Sequence, residues 1–465
     1  MDFKDELIID TAHLSCEGWG VSEEELSAVG DKISRAAEAV DEIRETGKGP
    51  GGEDVLFPHL PYLMDETVLI SAEEKERLRK LTEVAKDQDV VISIGIGGSY
   101  LGNQALYDLF CGPYWNLFSR DERKGYPEIY FAGQNLDPLS LYRLVDRIHR
   151  SSHMVWWKHK VMLLINSKSG TTLEPLMAER VLRELLGSFC DLRVIAITDK
   201  EKGALHEKAE KEGWERFTVP EGIGGRFSVF SQVGLVFAKM AGIDTDAFLA
   251  GARMAEEACR SRDRKENPAL QLAAMKYLAK VKHGIDTEVI MPYGDSLRAL
   301  GCWYAQLLGE SLGKKQDLSG QEIHYGRTPV AAVGTTDMHS LTQEHQEGKK
   351  NKLVQFFSVR EMDTDFSVLC DEGDAHGEVP MSYMLHSAQK SNEEALAGDG
   401  RMSCSITMRK ATPFHVGALM YFLFLTIAYE AALAGINAFD QPGVEKYKKI
   451  LHGDLREYIE RRNKQ

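Results

Sequence analysis

Cysteine is scarce and never paired along the chain. The seven positions, Cys16, Cys111, Cys190, Cys259, Cys302, Cys370 and Cys404, include no CxxC spacing, so neither a disulfide framework nor a cysteine-based zinc site is expected. HExxH and paired Cys/His spacings are also missing, and no metal is expected. Basic residues are outnumbered, 56 Lys and Arg against 71 Asp and Glu, for a net charge of −15. That balance argues against a reader of phosphate backbones, so nucleic acid is not an expected partner. The acidic opening Met1-Asp2-Phe3-Lys4-Asp5-Glu6 lacks the basic-then-apolar order of a secretory leader. The apolar run Val416 to Ile436 is interrupted by Thr426, Tyr429 and Glu430 and reads as a buried helix, so no membrane contact is expected. The protein is expected to be cytoplasmic.

Nucleotide fingerprints fail as well. In Gly95-Ile96-Gly97-Gly98-Ser99-Tyr100 the third glycine of G-x-G-x-x-G would fall on Tyr100. Gly309-Glu310-Ser311-Leu312-Gly313-Lys314-Lys315 is one residue short of a P-loop and ends on Lys315 where Ser or Thr is needed. No cofactor is therefore expected.

What the chain has is length, apolar content and an alternating rhythm. Its 465 residues, 43% of them hydrophobic, suffice for two to four domains. A charged helical arm over 1–80 contains the turn Gly47-Lys48-Gly49-Pro50-Gly51-Gly52. Strands are predicted at 89–94, 128–132, 161–165 and 193–198, with helices between them. A second block has strands at 288–291, 330–333 and 353–359 and helices at 267–283, 297–309 and 338–347. Alternation of this kind predicts an α/β protein with two doubly wound parallel sheets, in domains spanning 80–245 and 255–435. A charged helix, entered at Pro442, follows within 437–465.

The densest polar signal is Asn166-Ser167-Lys168-Ser169-Gly170-Thr171-Thr172, between an apolar strand and a helix. Free N–H groups and a helix N-terminus there suit an anion, with Ser167, Ser169, Thr171 and Thr172 adding hydroxyls and Lys168 a charge. An ordinary N-cap cluster has the same composition. Gly97, Gly98 and Ser99 would let a ligand approach the backbone, or simply make a strand-to-helix turn. Arg226, in Gly224-Gly225-Arg226-Phe227-Ser228, suits either oxyanion stabilisation or a surface ion pair. Gln306 and Glu310 share a helix face, where Glu310 is either a base or a solvated helix-end carboxylate. His339 follows a strand end, and Gln441 and Lys448 lie seven apart on one side of the last helix.

Taken together, Ile94-Gly-Ile-Gly-Gly-Ser99, Asn166 to Thr172, Gly224 to Ser231, Gly309 to Lys314, Gly334 to Gln343 and Phe439 to Lys448 resemble the glucose-6-phosphate isomerase family in its compact bacterial form. The resemblance runs from about Ile92 to Lys449. It implies two sugar-isomerase (SIS) domains with helical extensions and cofactor-free interconversion of glucose 6-phosphate and fructose 6-phosphate through an enediol(ate), in glycolysis and gluconeogenesis. It implies that Ser99, Ser167, Lys168, Ser169 and Thr172 hold phosphate, and that Gly98, Gly225, Gln306 and Gln441 line the sugar. Glu310 would move the proton, Arg226 would steady the enediolate, and His339 and Lys448 would open the ring. It further implies a homodimer in which His339 crosses to the neighbouring site. A sugar-phosphate sensor, or an isomerase for mannose or amino-sugar phosphates, is the alternative. Residues 360–402 match no pattern of the family.

Overall fold

The computed structural model describes residues 2–65, 69–152, 158–367 and 378–463. Cys370 and the rest of 368–377, within the 360–402 stretch, lie outside them; the other six cysteines are free thiols.

Among the described residues, twelve strands form two five-stranded sheets and a hairpin. They are β1 (Leu7–Asp10), β2 (Val90–Ile94), β3 (Glu128–Ala132), β4 (Lys160–Asn166), β5 (Asp191–Thr198), β6 (Glu215–Thr218), β7 (Thr287–Pro292), β8 (Lys314–Gln316), β9 (Glu322–Tyr325), β10 (Thr328–Ala331), β11 (Lys352–Val359) and β12 (Met402–Met408). The first sheet has the order β3-β2-β4-β5-β6 and is wholly parallel. Its order reverses beside β2: the chain goes out to β3 on one side and returns to β4 on the other. In a doubly wound sheet that reversal opens a crevice at the carboxyl ends of the two strands. Gly95–Ser99 and Ser167–Thr172 leave those ends.

The second sheet runs β1-β12-β11-β7-β10, parallel except at its edge, where β1 pairs antiparallel with β12. The amino-terminal segment is thus not helical throughout, because Leu7–Asp10 supplies this edge strand. Glu6 anchors it, receiving bonds from His415 at 2.8 Å and Arg409 at 3.2 Å. The 338–347 region reads in sequence as a single helix. Instead a 3-10 turn, Thr336–His339, precedes a short helix, Thr342–Glu347. Asp337 causes the break by accepting from the Val333 amide at 2.8 Å and the Ser340 hydroxyl at 2.9 Å.

Alternate residues of β2 divide between two cores. Val90, Ile92 and Ile94 face a cluster on the outer side, and Val91 faces the main core. That main core is organised around the helix Pro413–Ala434, long and apolar enough to cross a membrane but buried here among the helices Gly30–Thr46, Thr245–Ala258, Pro268–His283 and Arg298–Leu312. Glycine lets it cross Thr245–Ala258 closely: a Cβ at Gly251 would lie 1.7 Å from the Phe414 carbonyl oxygen, and one at Gly417 2.0 Å from that of Phe248. The 438–441 segment follows this helix. Beyond it a 3-10 turn, Pro442–Val444, leads to the helix Glu445–Asn463, which buries none of its residues.

Candidate active site

Arg226 sits in the 3-10 turn Gly225–Phe230 and is 2% exposed. Its Nε donates to Ser311 Oγ at 2.8 Å. One terminal nitrogen donates to Gln441 Oε1 at 2.8 Å and to Glu310 Oε2 at 3.3 Å. The other donates to the carbonyls of Ala438 and, at 3.1 Å, Asp440. Burial presses the guanidinium below its ordinary pKa range, and Glu310 and Asp440 recover only part of that loss. It stays a cation at neutral pH.

Glu310 lies near the end of the helix Arg298–Leu312, one turn beyond Gln306. Gln306 Nε2 donates to Glu310 Oε1 at 3.0 Å, so each carboxylate oxygen has a different donor. The Glu310 side chain remains 32% exposed. Gln306 Oε1 is buried and accepts nothing from the described residues. An unfilled acceptor beside a reachable carboxylate suits a ligand hydroxyl.

Gly98 and Gly225 close the wall behind these groups. A Cβ on Gly98 would lie 2.0 Å from the Gly225 carbonyl, so no larger residue fits there. The Ser228 hydroxyl joins the two loops through the carbonyls of Gly98 (3.2 Å) and Gly225 (2.7 Å). Half-buried Ser99 follows at the carboxyl end of β2.

The Ser167–Thr172 loop is tied by its own hydroxyls. Ser167 Oγ accepts from the Gly170 amide at 3.1 Å, and Ser169 Oγ from the Thr171 amide at 3.2 Å. Thr172 caps the helix Leu173–Leu186 by position, but its hydroxyl makes no capping bond. Lys168, Ser169, Thr171 and Thr172 expose a cation and three hydroxyls to solvent. A cavity of about 230 Å³ is lined by Lys168 together with Gly224, Phe227 and Phe439, which places the loop next to the Arg226 turn. A larger cavity, about 530 Å³ between the helices Pro138–Ser152 and Leu173–Leu186, is lined by neither Arg226 nor Glu310.

The fold therefore brings Arg226, Glu310, Gln306 and Gln441 into one bonded cluster, with Gly98 and Gly225 against it and Lys168 across a neighbouring cavity. Two expected members stay outside. His339 is exposed, and its side chain makes no hydrogen bond or ion pair among the described residues. Lys448 is paired with Glu445 of its own helix at 3.0 Å. Reasoning from sequence overlooked Ser311, Lys314 and the carbonyls of Ala438 and Asp440. Three of these four fall inside the motifs Gly309 to Lys314 and Phe439 to Lys448.

A model of the phosphoglucose isomerase family matches residues 80–464. Among curated relatives, the chain is 38% identical to a glucose-6-phosphate isomerase of Symbiobacterium thermophilum over 82% of this chain and 84% of that one. It is 34% identical to the enzyme of the same name from Carboxydothermus hydrogenoformans over 94% and 91%. Among solved structures it resembles a hypothetical protein from Thermus thermophilus, with a TM-score of 0.80, 29% identity and 97% and 99% of the two chains covered. A glucose-6-phosphate isomerase from Chlamydia trachomatis shares the fold, with a TM-score of 0.81 at 22% identity over 98% and 89%.

Proposed function

The chain belongs to the phosphoglucose isomerase family and interconverts glucose 6-phosphate and fructose 6-phosphate, a step of glycolysis, and from that premise we propose how its own residues divide the work. The observation that carries the assignment is Glu310, a reachable carboxylate fixed between Gln306 and a buried arginine. A carboxylate so placed removes the proton from one carbon of the open-chain sugar and returns it to the next. The negative charge that develops on the oxygens of the cis-enediolate meets Arg226, whose own charge is incompletely balanced.

The substrate phosphate is held by Ser99, Ser167, Lys168, Ser169 and Thr172, far enough from the reacting carbons that its binding energy orients the sugar. Gly98, Gly225, Gln306 and Gln441 line the sugar, with Gln306 Oε1 taking a hydroxyl. His339 and Lys448 serve ring opening, and no cofactor enters. His339 reaches the neighbouring subunit's site in a homodimer. Its exposure supports that role, as do the exposed Tyr447, Ile450, Tyr458 and Ile459 of the unburied last helix, an apolar surface suited to a second copy. The first SIS domain spans 80–245 and the second 255–435. The arm 1–80 precedes them, and the segment 437–465 completes the site through Gln441 and Lys448. The enzyme works in the cytoplasm, without nucleic acid or membrane partners.

Glucose 6-phosphate formed from fructose 6-phosphate in heavy water tests the proton step. The parent enzyme is expected to place deuterium on carbon two, and Glu310→Gln to lose both label and turnover while still binding sugar phosphate. Label arriving at the parent rate in Glu310→Gln removes this residue as the base.

A further inference from the structure

Lys314 follows the helix that carries Glu310, and its side chain is 5% exposed. Its Nζ donates to the Glu310 carbonyl at 2.7 Å and to the Asp440 carbonyl at 2.7 Å, and lies 3.1 Å from Asp440 Oδ1. That same Asp440 carbonyl accepts from Arg226 at 3.1 Å. Two buried cations therefore converge on one backbone oxygen, that of the residue before Gln441. Arg226 bonds the last turn of the Glu310 helix through side chains, at Ser311 and Glu310, whereas Lys314 ties the backbone of that turn to the backbone of the 438–441 segment.

We infer that Lys314 is a positioning residue for the isomerisation: it spans the end of the Glu310 helix and Asp440, and so fixes the carboxylate relative to Arg226 and Gln441. This rests on the roles given above to Glu310 and Arg226. The end of a helix leaves carbonyls without partners, and an ammonium there both satisfies one and suits the negative end of the helix dipole. Here the ammonium also reaches the segment that supplies two carbonyls and an amide oxygen to Arg226. Burial, then the like charge of Arg226, depresses the Lys314 pKa, with Asp440 and Glu310 opposing. A cation kept in such a place costs solvation, which a lysine free to point outward would avoid. Lys314 acts through other groups, because its three partners are two backbone carbonyls and the carboxylate of Asp440.

The test compares Lys314→Met, Lys314→Arg and Glu310→Gln in steady-state conversion of fructose 6-phosphate, with circular dichroism to confirm folding. Lys314→Met is expected to lower kcat by about 10- to 100-fold, as misplacement by about an ångström does, with KM within about twofold. Lys314→Arg, which keeps charge and donors, is expected to recover most of the loss. Parent kcat in Lys314→Met, or an equal loss in both variants, overturns the inference. If the Met variant does not fold, Asp440→Ala, which breaks only the exposed leg, carries the same test. A severalfold fall in kcat at constant KM supports the link, and unchanged kcat defeats it. Glu310→Gln separates the two levels. An inactive Glu310→Gln beside a fully active Lys314→Met sinks the positioning role alone, whereas an active Glu310→Gln sinks the base assignment itself.

Discussion

Two buried arginines, Arg226 and Arg327, sit in the same molecule with their ionisation pushed in opposite directions. Arg327 meets both oxygens of Glu430 at 2.5 and 2.7 Å and Glu288 at 2.8 Å, while Lys276 bonds Glu288 from its other side at 2.6 Å. All four side chains are fully buried. Burial alone would lower Arg327, but the two carboxylates carry it well above its ordinary range. Arg226 bonds one carboxylate, at 3.3 Å, and otherwise neutral oxygens, with the Asp440 charge acting only from nearby, so burial prevails and its pKa falls. The first cluster is closed, each charge answered by fixed opposite charges. The second is left short of negative charge beside the cavity that opens toward Lys168. A saturated ion cluster can only hold a fold together, whereas an unsaturated one retains attraction for an anion that arrives later.

The largest contrast is expected between the two sets of glutamates. Glu310→Gln should cut kcat by about 10²–10⁴-fold or more in a coupled assay, with stability to urea within about 1 kcal/mol of the parent. Glu430→Gln should do the reverse, costing about 3–5 kcal/mol in urea unfolding because it strands the Arg327 fork, while turnover per folded molecule stays near the parent value. If Glu430→Gln proves neutral in stability, the closed cluster is not the clamp its distances describe.

Smaller effects sharpen the open side. Gly98→Ala, which forces a methyl into the Gly225 carbonyl, should lower kcat about 100-fold in the same assay while leaving a cooperative melt. Lys168→Ala should raise KM for fructose 6-phosphate about tenfold and barely alter kcat, measured over a range of salt because the lysine is exposed. A purely kcat effect would detach that loop from phosphate binding.

Much of this was legible beforehand, for physical reasons that also mark what was not. β2, β4 and β5 are largely apolar runs closed by turn residues, and their predicted and observed bounds agree within a residue or two. β12, Met402-Ser-Cys-Ser-Ile-Thr-Met408, is nearly all buried, yet its small polar side chains hide that fact. β1 and β6 are four-residue edge strands, and neither carries an alternating pattern long enough to see. In the site, Glu310, Arg226 and Gln441 were visible as motif residues. That they touch was not, since Arg226 lies 84 residues from Glu310 and 215 from Gln441. Lys314 escaped because a lysine beside a second lysine reads as solvated surface until its burial is seen.

The pairing of β1 with β12 carries a consequence for biosynthesis. Leu7 lies opposite Met408, so β1 is made about 400 residues ahead of the strand that it pairs with. At 5–20 residues per second the ribosome needs on the order of 20–80 s to deliver that partner. Throughout that interval β1 is an unmatched strand, a place for holding factors to act and for stray association to begin. A strand made early is thus among the latest to reach its native neighbour.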